Sequence, residues 1–422
     1  MTLLSDLLAG IFERRPLPGA IRRFASEQDI EDLCRDLLGS HGEISGSSMA
    51  CRILDLYDDM DDAGKREFFE FLADDMDIDT DGLSTALEAY RETNDKASYN
   101  SLMEKAEPLR QELARRLNQV PSGTARLVDM RADLLRFVKE GASFGRVDSD
   151  FRHLFQSWFN RGFLVMRPIS WRSPAHILEK IIAYEAVHAI ESWDDLRSRL
   201  QPEDRRCFGF FHPAMPDEPL IFVEVALTKG IAQSIPTLLD ANHEPIEAAS
   251  ADTAVFYSIS NCQKGLAGIS FGNSLIKQVV EELSRTLPQL KTFVTLSPIP
   301  NLRRYAKEND CEAQLDDDEK RAQLAAHYLL TAKANNGHAM DPVARFHLNN
   351  GALVHDIHAN GDPSLKGQEQ SGGAMVNYLY DLKKIAENHE AYATQQSVVA
   401  TPRAQQLARQ FTSTAPIEKE NS

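Results

Sequence analysis

Two spacings of apolar residues divide the chain. From Ser5 to about Phe155 the apolar positions recur every three or four residues, as in "ILDLYDDMDDAGKREFFEFLADDMDI" and "SLMEKAEPLRQELARRLNQV". That period lays one apolar stripe along a helix, and the many opposite charges four residues apart support it further. The stretch is therefore predicted to be all-helical. The opening "MTLLSDLLAGIFERR" reads as an amphipathic helix rather than a secretory leader, because Asp6 and Glu13 interrupt its apolar stripe and no cation precedes it.

The pattern changes near "FNRGFLVMRPISWRSPAH". Strand-like runs follow, "CFGFFHP", "LIFVEVALT", "AVFYSIS", "KTFVTLS" and "ARFHLNNGALVHDIH", separated by helical patterns over Pro174 to Tyr184, Asn273 to Leu287 and Glu319 to Lys333. Strands alternating with helices predict a sheet domain of the α/β or α+β class. The expected organisation is a helical domain over 1–155, a sheet-containing domain over 156–396, and a polar, mobile tail over 397–422 carrying Pro402 and Pro416.

Composition narrows the function. The chain has 422 residues, 42% of them hydrophobic and 26% charged, which suits two or three folded domains. A formal net charge of −17 argues against nucleic acid as a partner, and no run reaches the roughly 18 apolar residues of a membrane span. Five scattered cysteines (Cys34, Cys51, Cys207, Cys262 and Cys311) form neither a disulfide framework nor a zinc motif, which fits a reducing compartment. With no targeting address in the closing "IEKENS", a cytoplasmic location is expected.

Several segments could carry chemistry. Asp77, Asp79, Asp81, Gly82 and Glu88 fall at the offsets of a calcium-binding loop, although Asp81 followed by Gly-Leu-Ser also reads as a helix N-cap. In "VFYSISNCQKGLAGISFGNSLIKQVVEEL" a strand leads through Gly265, Gly268 and Gly272 into an amphipathic helix, a layout that can cradle phosphate on backbone N–H groups or merely turn the chain. Gly268 to Gly272 also matches G-x-S-x-G, which would make Ser270 a hydrolase nucleophile. The strand-like run ends ten residues too early for that sharp elbow. His355 and His358 lie three apart on a strand, on opposite faces, and complete no metal site, while His347 alternates with Phe346 and Leu348 as on one face of a strand. In "KTFVTLSPIPN" Ser297 is held between a strand and two prolines, which leaves it few backbone conformations.

Taken in order, "PEDRRCFGFFHPAMPDEPLIFVEVALT", "FYSIS…GLAGISFGNSLIKQVVEEL", "TLSPIPN" and "DPVARFHLNNGA…VNYLYDL" resemble malonyl-CoA decarboxylases, collinearly from about Arg167 to Tyr380. The resemblance implies a multidomain α and α/β chain. An N-terminal helical domain would mediate homo-oligomerisation, followed by a catalytic domain of the GCN5-related acetyltransferase fold. It implies malonyl-CoA as substrate and no cofactor. It carries over Ser297 and His347 as the catalytic pair, Ser258 and Tyr380 as pocket residues, and Ala267, Gly268, Ile269, Ser270, Phe271, Gly272 and Asn273 as the acyl-CoA-binding loop. Relatives can carry glutamate at the Ser270 position, so the loop's expected role rests on its backbone. An N-acyltransferase of the same fold and a non-catalytic CoA-binding scaffold are the competing expectations.

Overall fold

A computed structural model describes residues 28–39, 42–240, 242–269, 271 and 275–411. The helix expected at the N-terminus and the "IEKENS" end lie outside those residues. The chain forms two compact units. One comprises the residues up to Leu164 together with His212–Pro216 and Gln263–Phe271, and the other comprises the remainder.

Among the described residues the first unit contains eight α-helices: α1 (Ile30–Leu38), α2 (Glu43–Asp58), α3 (Asp62–Asp74), α4 (Thr80–Thr93), α5 (Lys96–Lys105), α6 (Leu109–Leu117), α7 (Gly123–Phe137) and α8 (Ala142–Trp158). The three- and four-residue spacing is what buries them. Phe68, Phe69 and Leu72 of α3 turn inward with Leu127, Leu134 and Phe137 of α7 and Phe144, Phe151 and Phe155 of α8. Each such side chain contributes roughly 1.5–3 kcal/mol through burial.

The acidic run Asp77 to Glu88 is not a loop. Helix α4 begins at Thr80, so Asp81, Gly82 and Glu88 lie within it. Its N-cap is Asp79, two residues earlier than the sequence suggested, and the Asp79 carboxylate accepts from Gly82 N–H at 3.0 Å. Asp77 instead pairs with Arg110 at 2.9 Å.

The second unit is built on a mixed sheet of β1 (Val165–Ile169), β2 (Arg205–His212), β3 (Met215–Thr228), β4 (Thr253–Asn261), β5 (Thr292–Thr295), β6 (Ser297–Pro298), β7 (Leu353–His358) and β8 (Met375–Leu379). The order is β1-β2-β3-β4-β5-β8-β6, with β7 on β8. Strand β4 pairs antiparallel with β3 but parallel with β5, in a register that ends at Phe256 opposite Thr295. From Leu220 to Leu227 nearly every β3 side chain is buried, the texture of a strand covered on both faces. The longer helices of this unit are α9 (Ala175–Tyr184), α10 (Trp193–Leu200), α11 (Leu275–Thr286), α12 (Asp318–Thr331), α13 (Pro342–Asn349), α14 (Ile385–Gln395) and α15 (Pro402–Gln410). A helical region followed by a mixed-sheet domain is thus the observed order.

Two segments differ from expectation. "ARFHLN" is helix α13, not strand: Asp341 caps it, Pro342 opens it, and Ala344, His347 and Leu348 are buried at three- and four-residue spacing. The alternation of Phe346, His347 and Leu348 was too short to outweigh the Asp-Pro start signal. Residues 397–411 are not a free tail. Val354 N–H donates to Val399 O at 2.9 Å, Thr401 caps α15, and α15 packs on α12 and β7.

Candidate active site

Ser297 follows Thr295 by two residues, so both side chains leave the strand on one face. The sheet fixes this turn in addition to the prolines. Strand β8 pairs with β5 through Val294–Leu379 and with β6 through Ser297–Val376, fixing the serine backbone on the ladder. Pro298 sits on the terminal strand of that order, where its missing N–H costs no central ladder bond.

His347 reaches the same place from α13. The Asp341 carboxylate accepts from the N–H groups of Val343 (2.9 Å) and Ala344 (3.0 Å), which sets the start of the helix. Helix α14 holds its other end: Asn388 Nδ2 donates to Gly351 O, and His389 Nδ1 lies 2.7 Å from Asn349 O. Tyr378 and Tyr380, two apart at the end of β8, both meet the imidazole. Tyr378 stacks on the ring, and Tyr380 Oη lies 2.8 Å from Nδ1.

These side chains form one buried hydrogen-bonded chain with a definite direction. Ser297 Oγ–H donates to Thr295 Oγ1 at 2.8 Å, and Thr295 Oγ1 also accepts from Tyr378 N–H at 3.2 Å. A hydroxyl has one proton, so Ser297 Oγ must accept from His347 Nε2–H at 3.1 Å. Neutral imidazole has one donor and one acceptor, so Nδ1 accepts from Tyr380 O–H. Burial favours that neutral form, pushing His347 down to about 3. The same burial holds the Tyr380 phenol well above its usual range, so it keeps its proton. An uncharged imidazole with Nε2–H aimed at a serine oxygen can deliver a proton to a strong base. It is not arranged to remove the serine proton.

The structure thus brings Ser297, His347 and Tyr380 together. Ser258 is engaged elsewhere. It lies on β4 two residues past Phe256, and its hydroxyl donates to the Glu185 carboxylate, 2.7 Å from Oε2 and 2.9 Å from Oε1. Glu185 also accepts from the N–H groups of Val187 and His188. The loop residues Ala267, Gly268, Ile269 and Phe271 belong to the first unit, while Ser270, Gly272 and Asn273 lie outside the described residues. His358 has its Nε2 at 2.5 Å from Asn377 Oδ1. Thr295, Tyr378, Asp341 and Glu185 were not singled out from sequence. The two-residue alternation beside Ser297 and Tyr380 could have found the first two.

The chain matches the profile of the malonyl-CoA decarboxylase N-terminal domain over residues 77–159 and that of the C-terminal domain over 162–324 and 312–417. The mitochondrial malonyl-CoA decarboxylase of Anser anser anser is 34% identical over 351 residues, which cover 71% of this chain and 69% of that protein. The crystal structure of malonyl-CoA decarboxylase from Rhodopseudomonas palustris superposes with a TM-score of 0.86 at 49% identity, covering 89% of this chain and 98% of that one. The Agrobacterium vitis structure of the same name gives 0.85 at 48%, covering 90% and 99%. With a helical region preceding a mixed-sheet domain that gathers a serine, a histidine and a tyrosine, the chain belongs to the malonyl-CoA decarboxylase family and is a carboxy-lyase.

Proposed function

We propose that this protein converts malonyl-CoA to acetyl-CoA and CO₂ at the Ser297–His347 pair, and that it does so in the cytoplasm as a homo-oligomer. The single observation carrying the reading is the direction of the buried chain from Tyr380 through His347 to Ser297. A carboxylate β to a thioester carbonyl loses CO₂ to leave an enolate that the thioester already delocalises, so the chemistry calls for no added electron sink.

The residues then have separate tasks. Ser297 O–H turns from Thr295 to the malonyl carboxylate and holds the breaking C–C bond out of the carbonyl plane. Thr295 keeps its hydrogen bond from Tyr378 N–H meanwhile. As CO₂ departs, the bonding pair passes into the enolate, and His347 Nε2–H supplies the proton to the α-carbon. Tyr380 O–H keeps donating to Nδ1 and so stabilises the charge left on the imidazole, and a water entering behind CO₂ returns a proton to Nε2 and leaves as hydroxide. Ala267 to Asn273 bind the acyl-CoA, with backbone N–H groups on its phosphates.

The test is a coupled assay for acetyl-CoA on adding malonyl-CoA to the metal-stripped protein. Turnover supports the proposal. Free coenzyme A appearing only with acetyl-CoA and an amine would instead make it an N-acyltransferase. Labelling of Ser270 by a fluorophosphonate, with loss of activity in Ser270→Ala, would make it a hydrolase. Malonyl-CoA bound and returned unchanged would make it a scaffold.

A further inference from the structure

The helical unit touches the glycine loop through an unusual contact. Arg131 of α7 is 1% exposed, and its Nε donates to Asp148 of α8 at 2.8 Å. Its Nη1 crosses to the loop and donates to two backbone carbonyls, Gly265 O at 2.6 Å and Ala267 O at 3.0 Å. The approach is tight enough that a Cβ on Gly265 would stand 1.8 Å from Val128 O. Burying a guanidinium is costly, and an apolar side chain would fill the same volume without that cost. What only arginine supplies is a rigid fork of N–H donors that fixes two carbonyls and a carboxylate together.

A second arginine stands beside the same loop. Gly268 has φ +75°, and a Cβ built there would meet one atom, Arg152 Nη2 of α8, at 4.0 Å. Arg152 is exposed, and among the described residues its guanidinium joins no ion pair, as is also true of Arg52 and Arg91 in the same unit; of these three it is the one beside the loop. In a chain of net charge −17, an exposed cation beside a turn whose backbone N–H groups lie at glycine and alanine is suited to an anion.

We propose that these two arginines serve coenzyme A binding at Gly265–Gly268: Arg131 is a positioning residue that sets the backbone of Gly265 and Ala267, and Arg152, beside Gly268, binds a phosphate of the coenzyme A moiety. This rests on the acyl-CoA reading of the loop. The helical region then contributes to substrate binding in addition to any part in assembly.

Steady-state kinetics with malonyl-CoA and with malonyl-pantetheine, which lacks the nucleotide and its phosphates, test it. Arg152→Ala should lower the preference in kcat/KM for malonyl-CoA over malonyl-pantetheine about tenfold, the worth of one charge-assisted contact. Arg131→Lys, which keeps a charge for Asp148 but loses the fork, should lower the same ratio and raise KM more than it lowers kcat. An unchanged ratio in Arg152→Ala overturns the proposal. Should Arg131→Lys fail to fold, the exposed Arg152 alone decides. Calorimetry with coenzyme A separates the two readings. About tenfold weaker binding to Arg152→Ala supports the arginine assignment even where the wild type releases no CO₂, and unaltered binding overturns it.

Discussion

Tyr378 lies flat against the His347 imidazole, with ring centroids 4.6 Å apart and planes 23° from parallel. Neither side chain reaches solvent, and that burial is why the imidazole stays neutral, down to about 3. In the unfolded chain the same group takes up a proton near pH 6.5, so between those values the unfolded state binds more protons. The stability this contributes is complete above about pH 6.5 and is lost as pH falls. Between pH 7 and pH 5, urea unfolding should show wild type losing about 2 kcal/mol more than His347→Gln. Equal losses would mean that His347 is charged in the fold.

Ser297→Ala and His347→Ala should each cut kcat at least about a hundredfold, the lower end for loss of acid–base catalysis. Near-normal turnover in both would remove the site from Ser297 and His347.

Tyr380→Phe should be milder yet diagnostic. It deletes the donor to Nδ1 and so frees the imidazole to move its proton there, leaving Nε2 as an acceptor. A drop in kcat of about tenfold or more with KM little changed is expected. A larger effect on KM than on kcat would make Tyr380 a binding residue only.

Asp341 should behave oppositely to His347 with pH. Burial raises its carboxyl to about 6, so between about pH 4 and 6 the folded state binds more protons, and this group's contribution falls as pH rises. Asp341→Asn keeps an oxygen for Val343 and Ala344 N–H and should remove that slope. Asp341→Ala should cost about 1–2 kcal/mol as the cap is lost. Denaturation of both variants at pH 4.5 and 7 checks the sign.

Gly265→Ala should be among the least tolerated single-methyl changes. Its Cβ would stand 1.8 Å from a backbone oxygen that cannot rotate away, so the loop or α7 must shift. Loss of about 1–3 kcal/mol in thermal or urea unfolding is expected. A wild-type melting curve would show that the loop can leave α7 freely.

Much of this was legible because it is local. Periodicity located α2, α3, α5, α6, α9, α11 and α12, and strand-like runs located β2 to β5, since each element carries its own burial pattern. The resemblance supplied Ser297, His347 and Tyr380, residues that the fold gathers. What escaped is what depends on neighbours distant in sequence. His347 was read as a strand residue because six residues hold too few periods to separate helix from strand. Glu185 gave no signal because its partner, Ser258, is 73 positions away. Arg131 looked like one more charge on a helix face until Gly265 and Ala267 came to rest against it. Residues 397–411 looked soluble and unattached, yet Val399 supplies a carbonyl to the amide of Val354.

The fastening of α13 by α14 has a consequence for synthesis. The histidine helix is held at its far end by Asn388 and His389, and β7 is bordered by Val399 and Thr401. On a ribosome the helical unit can condense first, since most of its helices emerge before the sheet. The imidazole is locked in place only once residues beyond Tyr380 have emerged. On the proposed chemistry, the growing chain therefore turns over no substrate until nearly all of it has been made.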